Sequence, residues 1–167
     1  MDSSAKKTAL RMIPYGMYVL TSRVDDGRIA AATVTWVTQL SFDPPLIVVC
    51  VKADSGAHAV IEASGTFALN ILSKQQSQTA RTFFKPVEPE GDTLGGERFR
   101  AGTTGAPILE SVPAHIECKV VEVVKKGDHS AVIGQVVAAG VAQQPEGRPD
   151  ETTLTVKDLG GNISYGG

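Results

Sequence analysis

The sequence predicts a mainly β fold with short helices, arranged as a Greek-key antiparallel barrel. Three observations carry this expectation. Short runs rich in Val, Thr and Ile recur along the 167-residue chain, separated by Gly, Pro and Asp. Two pairs of these runs are joined by tight-turn sequences, which argues for antiparallel hairpins. Helical spacing appears in only two short stretches, placed too irregularly for repeated βαβ units.

The first strand is expected over about residues 15–23. Asp25, Asp26 and Gly27 then supply a turn, because Asp and Gly tolerate the positive φ of tight hairpins. A second strand is expected over about residues 28–38, where Thr and Val suit a pleated surface. Asp43, Pro44 and Pro45 break the chain before the continuous apolar run 46–51, which reads as a strand covered on both faces.

Ser55 offers an N-cap, Ala57, Val60 and Ile61 follow at helical spacing, and Gly65 closes a short helix. Residues 67–72 return to strand. Ser73 and Gln76 form a potential capping box for a second helix, with Ala80, Phe83 and Phe84 on its inner side. Residues 85–105 are rich in Gly, Pro and charge, and read as an irregular segment with at most a short strand.

The second half is mostly β. Ile116, Cys118 and Val120 alternate with polar neighbours, and then the apolar parity moves to Val121 and Val123. A one-residue shift of this kind is what a β-bulge produces. Residues 126–129 make a turn, and residues 131–141 return as the partner strand. A polar loop over 143–152 and a glycine-rich end over 159–167 complete six or seven strands and two helices in one domain, 1–167.

A formal net charge of -2 supplies no basic field for nucleic acid. Lys6, Lys7 and Arg11 are not followed by an apolar run of signal-peptide length, and no stretch is long enough to span a bilayer. The expectation is a cytoplasmic protein. Cys50 and Cys118 are expected to be reduced packing residues, and His58, His115 and His129 are too scattered for a metal site.

No GxGxxG follows a strand, and no GxxxxGK[ST] or GxSxG is present. Three segments invite chemistry instead. In 33–39, alternation puts Thr33 and Thr35 on one face, where hydroxyls and strand-end amides could meet a flat polar heterocycle; the same pattern describes a half-buried strand with threonines facing water. Trp36 fits a core anchor equally well. In 52–58, a strand meets a helix N-terminus, whose free N–H groups and dipole favour a phosphate, with Lys52, Ser55 and His58 as added donors. Asp54 has the wrong sign for this, and a capped surface helix is the plainer account. In Gly127-Asp128-His129, an ordinary turn competes with a histidine at the lip of a pocket.

These segments stand in an order that resembles the flavin reductase-like family, the FMN-binding split-barrel flavoproteins. The resemblance rests on Ile13-Pro14-Tyr15-Gly16 with Thr21-Ser22, on residues 33–39, on Asp43-Pro44-Pro45-Leu46, on Phe67-Ala68-Leu69-Asn70-Ile71-Leu72, on Gly127-Asp128-His129 and on the final Tyr165-Gly166-Gly167. It implies an FMN-binding split β-barrel and a homodimer with flavin sites near the subunit interface. It implies Thr33, Val34, Thr35 and Trp36 along the isoalloxazine ring, and Lys52, Ser55 and His58 at the flavin phosphate. His129 falls beside flavin and nicotinamide, and Tyr165 close to the site. Residues 158–163 lack the aromatic that relatives carry before the terminal Tyr-Gly-Gly.

The implied chemistry is hydride transfer from NADH or NADPH to flavin N5, with FMN, or alternatively FAD, carrying the hard step. A monooxygenase or another acceptor would take the reduced flavin. The competing expectation is a flavin-carrying electron-transfer module reduced by a protein partner. A third is a binding module without redox work.

Overall fold

A computed structural model describes residues 1–161 and 163–165; the terminal Gly166-Gly167 of the resemblance lie outside the described residues. Helix α1 (Ser3–Arg11) opens the chain, capped by the Asp2 carboxylate, which accepts from the Ser4 N–H at 2.9 Å. The sequence signals give no element here.

Strand β1 (Tyr18–Arg23) and β2 (Ile29–Val34) form the first hairpin around Gly27, whose φ of 92° needs a residue without Cβ. The strand expected over 28–38 is in fact two: β2 stops at Val34, and β3 (Val37–Ser41) begins after Thr35 and Trp36. Strand β4 (Leu46–Lys52) follows the turn at Asp43, Pro44 and Pro45. Helix α2 (Gly56–Ser64) then runs between its Ser55 cap and Gly65, which adopts φ 67°. Strand β5 (Thr66–Ile71) and helix α3 (Ser77–Thr82) come next.

The long segment after α3 carries more order than its composition indicates. Strands β6 (Pro89–Glu90), β7 (Thr93–Leu94), β8 (Glu97–Ala101) and β9 (Pro107–Leu109) form a small separate sheet. Two- to five-residue strands have no readable period. Tertiary hydrogen bonds hold this sheet in place. Asn70 Oδ1 accepts from Leu109 N–H at 2.8 Å, and Thr21 Oγ1 donates to Pro107 O at 2.5 Å.

Strands β10 (Ala114–Lys125) and β11 (His129–Val141) form the long second hairpin. Its register shifts between Val120 and Glu122, where the sequence parity breaks, and again between Glu117 and Cys118. Helix α4 (Pro149–Thr152) lies in the polar loop, and a 3-10 turn (Val156–Leu159) follows.

The main sheet runs β2-β1-β5-β10-β11-β4-β3. β2 and β3 therefore stand at opposite ends, yet only Thr35 and Trp36 join them. Three Cα steps span roughly 10 Å at most. The two ends must meet, so the sheet is rolled into a barrel whose seam the chain itself crosses. Across the seam, Cys50 N–H donates to Trp36 O at 2.9 Å. Leu20, Val49, Phe67, Leu69, Cys118 and Val132 fill the inside, with Ile61 of α2 packed among them. Val19, Leu72, Phe83, Leu109 and Leu154 form a second core outside β1 and β5.

The two-sided burial expected of β4 belongs instead to β1 and β5. In β4, Ile47, Val49 and Val51 are buried while Leu46, Val48 and Cys50 are only half-buried. The small sheet and α3 cover β1 and β5, and among the described residues nothing comparable covers the outer face of β4. Cys50 and Cys118 are both free thiols. Among the described residues, no helix is long and apolar enough to cross a membrane.

Candidate functional site

The chain crosses the barrel seam at Thr35 and Trp36, and a cavity of about 460 Å³ opens there. That volume lies within the range of about 300–1,000 Å³ usual for small-molecule sites. Thr33, Val34, Thr35 and Trp36 form one wall. Cys50, Val51 and Lys52 from the end of β4, with Ser55, form another. Phe83 and Phe84 after α3 form a third, and Val156, Ile163, Ser164 and Tyr165 close the fourth side.

Among the described residues, two polar atoms in the seam are buried without a partner: Thr35 Oγ1 and Trp36 Nε1. Leaving a buried donor or acceptor unpaired costs about 1–3 kcal/mol, so native chains rarely do so without a reason. A ligand with its own polar edge in this cavity would supply the missing partners. Thr33 differs. Its hydroxyl donates to Ala80 O at 2.7 Å and its N–H to Phe83 O at 3.0 Å, so its donors fasten α3 to β2.

The junction of β4 and α2 is built as a capped helix start. Ser55 Oγ accepts from His58 N–H at 3.2 Å and donates to Lys52 O at 2.7 Å. Its hydroxyl hydrogen is therefore committed. The N–H groups of Gly56 and Ala57 in the first turn have no intrahelical acceptor and point along the positive end of the dipole. Lys52 Nζ lies 3.0 Å from Asp54 Oδ1. The hydrogen bond to Asp54 holds the Lys52 ammonium above its ordinary pKa.

His58 is not brought to the cavity. It is 5% exposed, with Nε2 2.9 Å from Ser130 Oγ and Nδ1 3.3 Å from Glu62 Oε2. Ser55 as cap makes His58 the third helical residue, three before Ile61, and that spacing puts both on the inner stripe of α2. The helix geometry that creates a phosphate-binding N-terminus thus turns the histidine away from it.

At the lip stands a relay of three side chains. His129 Nδ1 lies 3.0 Å from Asp128 Oδ1, and Nε2 lies 2.7 Å from the Tyr165 hydroxyl. The hydrogen bond from His129 holds the Asp128 carboxyl below its ordinary pKa, so it is an acceptor at neutral pH. In the neutral imidazole the proton is then on Nδ1, and Nε2 accepts from the Tyr165 O–H. Burial, with Asp128 adding to it, pushes the Tyr165 phenol up and keeps that proton in place. The His129 ring sits 4.7 Å from Trp36, and the Tyr165 ring meets Trp36 edge-on at 5.4 Å.

Eight of the nine residues implied by the resemblance, all but His58, line this one cavity. The other lining residues include Met17, Cys50, Phe83, Phe84, Val156, Ile163 and Ser164. Only the pair Phe83-Phe84, ending a helix with an apolar inner side, left any trace in the sequence. Residues 10–156 match the model of the flavin reductase like domain.

The chain belongs to the flavin reductase-like family. It is similar to a probable flavin reductase of Rhizobium meliloti (strain 1021), 34% identical over 137 residues, which make up 82% of this chain and 43% of that protein. The flavin reductase (NADH) of Kitasatospora aureofaciens is 32% identical over 142 residues, covering 84% of this chain and 73% of that one. The solved styrene monooxygenase flavin reductase from Pseudomonas putida S12 superposes with a TM-score of 0.70 at 27% identity, covering 83% of this chain and 88% of that chain. The chain spans less than half the length of the Rhizobium meliloti relative. For a flavin reductase-like chain, the cavity at the seam is the place to look for the flavin.

Proposed function

We propose that this protein is an FMN-binding, NAD(P)H-dependent flavin reductase, and that the seam cavity holds the flavin. The observation that carries this is the pair of orphaned atoms, Thr35 Oγ1 and Trp36 Nε1, in a ligand-sized cavity that borders a helix N-terminus. A flavin fits that donor set. Its ring edge alternates hydrogen-bond donors and acceptors, and its phosphate suits the free N–H groups of α2 and the Lys52 ammonium. FMN is preferred to FAD in this reading because the junction provides for one terminal phosphate.

A bound flavin would supply the two-electron acceptor for hydride from a nicotinamide. Residues of this chain do the rest. Residues 33–36 fix the ring plane along the seam. Lys52 and the first turn of α2 anchor the phosphate end. Phe84, half-exposed at the rim, and Trp36 restrict water around the ring. His129, oriented by Asp128, holds a defined tautomer at the mouth, where its Nε2 now receives the Tyr165 proton. Turning from Tyr165 to an incoming ligand would place that acceptor against the nicotinamide amide.

The proposal extends to the assembly. The half-buried outer face of β4 and the exposed Leu40 and Phe42 give an apolar surface suited to a second copy, so the working unit is a homodimer. A monooxygenase would be a fitting acceptor of the reduced flavin, as the likeness to the styrene monooxygenase flavin reductase suggests. The setting would be the cytoplasm. The test is steady-state oxidation of NADH and NADPH with and without added FMN and FAD, alongside flavin titration and light scattering. Absence of flavin binding, or bound flavin that neither pyridine nucleotide reduces, would overturn the reductase reading.

A further inference from the structure

His58, which the fold turns away from the seam cavity, closes a chain of polar contacts. It is the third residue of α2 and is buried. Its ring Nε2 lies 2.9 Å from Ser130 Oγ on β11, and its Nδ1 lies 3.3 Å from Glu62 Oε2, one turn further along α2. The other Glu62 oxygen pairs with Nζ of Lys125, the last residue of β10. The hydrogen bond from Lys125 holds the Glu62 carboxyl below its ordinary pKa, so it is ionised at neutral pH. A carboxylate at that distance favours the proton on Nδ1 in the neutral imidazole, and Nε2 then accepts from the Ser130 hydroxyl. Serine, imidazole and carboxylate stand in the same order in hydrolases, but Ser130 is 0% exposed and its hydroxyl is out of reach of a substrate. The chain is a brace.

The brace joins the two ends of the candidate site. On the helix side, the His58 N–H donates to Ser55 Oγ at 3.2 Å, which fastens the residue to the cap of the helix start. On the strand side, Ser130 follows His129 directly, and the β4–β11 ladder sets Lys52 opposite His129 and Val51 opposite Ser130. Ala53 N–H donates to Asp128 O at 2.9 Å and closes the backbone around the same turn. Among the described residues, the polar side-chain ties between α2 and the β10–β11 hairpin are those from His58 to Ser130 and from Glu62 to Lys125. Ala57 and Ile61 also hold the helix by packing into the barrel, but apolar attraction has no preferred direction. A hydrogen bond has one.

We propose that His58 is a positioning residue for the flavin phosphate: held by Ser130, it fixes the first turn of α2 against the strand that carries His129. The inference rests on the reading of the seam cavity as the flavin site. The phosphate meets the N–H groups of Gly56 and Ala57 and the Lys52 ammonium, not the imidazole. The brace keeps those donors aimed at one point while the ring end lies along residues 33–36. Losing the brace therefore costs affinity for FMN, which carries the phosphate, and spares riboflavin, which lacks it.

The test is fluorescence titration of FMN and of riboflavin with the full chain and with His58→Phe, Ser130→Ala, their double variant and His58→Gln. Melting curves set a temperature at which all are folded. The wild type should prefer FMN. In His58→Phe and in Ser130→Ala that preference should fall by about fivefold to tenfold, with riboflavin affinity unchanged. The double variant should fall no further than the weaker single variant, because both substitutions cut the same tie. His58→Gln should keep most of the preference, since its amide oxygen can still accept from Ser130. An intact FMN preference in the folded single variants, equal weakening of both flavins, or losses that add in the double variant would each overturn the inference and leave His58 a packing residue. A wild type that binds both flavins equally overturns the inference together with the phosphate anchor, and one that binds neither overturns the flavin reading as well.

Discussion

Replacing Thr35 by Val should make the flavin-free protein more stable and the flavin weaker. The two residues have nearly the same shape, so the perturbation is the hydroxyl. In the structure that hydroxyl is buried without a partner. Thr35 is 8% exposed, so water offers it little compensation. Removing an unsatisfied buried polar group recovers about 1–3 kcal/mol. For a chain of this size each kcal/mol moves the melting temperature by about 2–4 °C, so a rise of about 2–12 °C is expected without flavin. If the flavin supplies the missing partner, Thr35→Val forfeits a net hydrogen bond of about 0.5–1.5 kcal/mol, or roughly two- to tenfold in affinity. The assay is thermal denaturation with and without FMN, paired with fluorescence titration. The stabilisation added by saturating FMN should be smaller in the variant than in the wild type. A variant that melts lower without flavin, or binds FMN as tightly as the wild type, would refute the reasoning.

Four further outcomes are expected. Glu117 is 2% exposed and accepts from Thr103 N–H, Thr104 N–H and Thr104 Oγ1 at 3.1, 2.7 and 2.8 Å. Burial pushes its carboxyl up, but those hydrogen bonds outweigh it and hold the group below its ordinary 4.5. The ionised form is thus favoured by folding, and its contribution is full above 4.5 and lost as pH falls through the folded value. Glu117→Gln should destabilise by about 1.5–3 kcal/mol at neutral pH, with the gap to wild type closing on acidification in urea melts at a series of pH values. Lys52→Ala should weaken FMN by about tenfold and riboflavin hardly at all, and Asp54→Asn, which releases Lys52 from its partner, should tighten FMN alone; equal effects on both ligands in parallel titrations would place the phosphate elsewhere. His129→Ala removes the hydrogen bonds to Asp128 and Tyr165 and the packing on Trp36, so it should cost about 1–3 kcal/mol of stability, and NAD(P)H oxidation by the folded variant should fall about tenfold; unchanged turnover would leave His129 as a turn residue. Gly134→Ala should destabilise by about 1–3 kcal/mol in the same melts, because the added Cβ would stand 2.7 Å from the Phe67 ring and 2.8 Å from Cys118 Cβ.

Much of the candidate cavity's lining was legible in the chain, and the exceptions have physical causes. Hairpin turns, the Ser55 and Gly65 caps and the β-bulge after Val120 are local events, encoded within a few residues of where they act. The segment 33–36 and the junction at 52–55 could be singled out for the same reason. His58 was misplaced because the cap that marks the helix start also fixes which residues face inward. The strand expected over 28–38 broke at Thr35 because the barrel seam runs there. Each half has ordinary strand composition, and only closure of the sheet demands that two residues leave the ladder.

The sequence by itself determined the two long hairpins, helix α2 and the neighbourhood of most candidate site residues. These follow from turn chemistry, capping and period, all short-range properties of the chain. The tertiary structure alone decided where the wall of the cavity ends. It brought Phe84 and Ile163 to the cavity that Trp36 lines, set Tyr165 edge-on to Trp36 and on His129 across 36 positions of chain, and ordered the small sheet through Asn70 and Thr21. Contacts of that kind depend on which ends of a rolled sheet meet. No local pattern of side chains carries that information, because it is fixed only when the whole barrel closes.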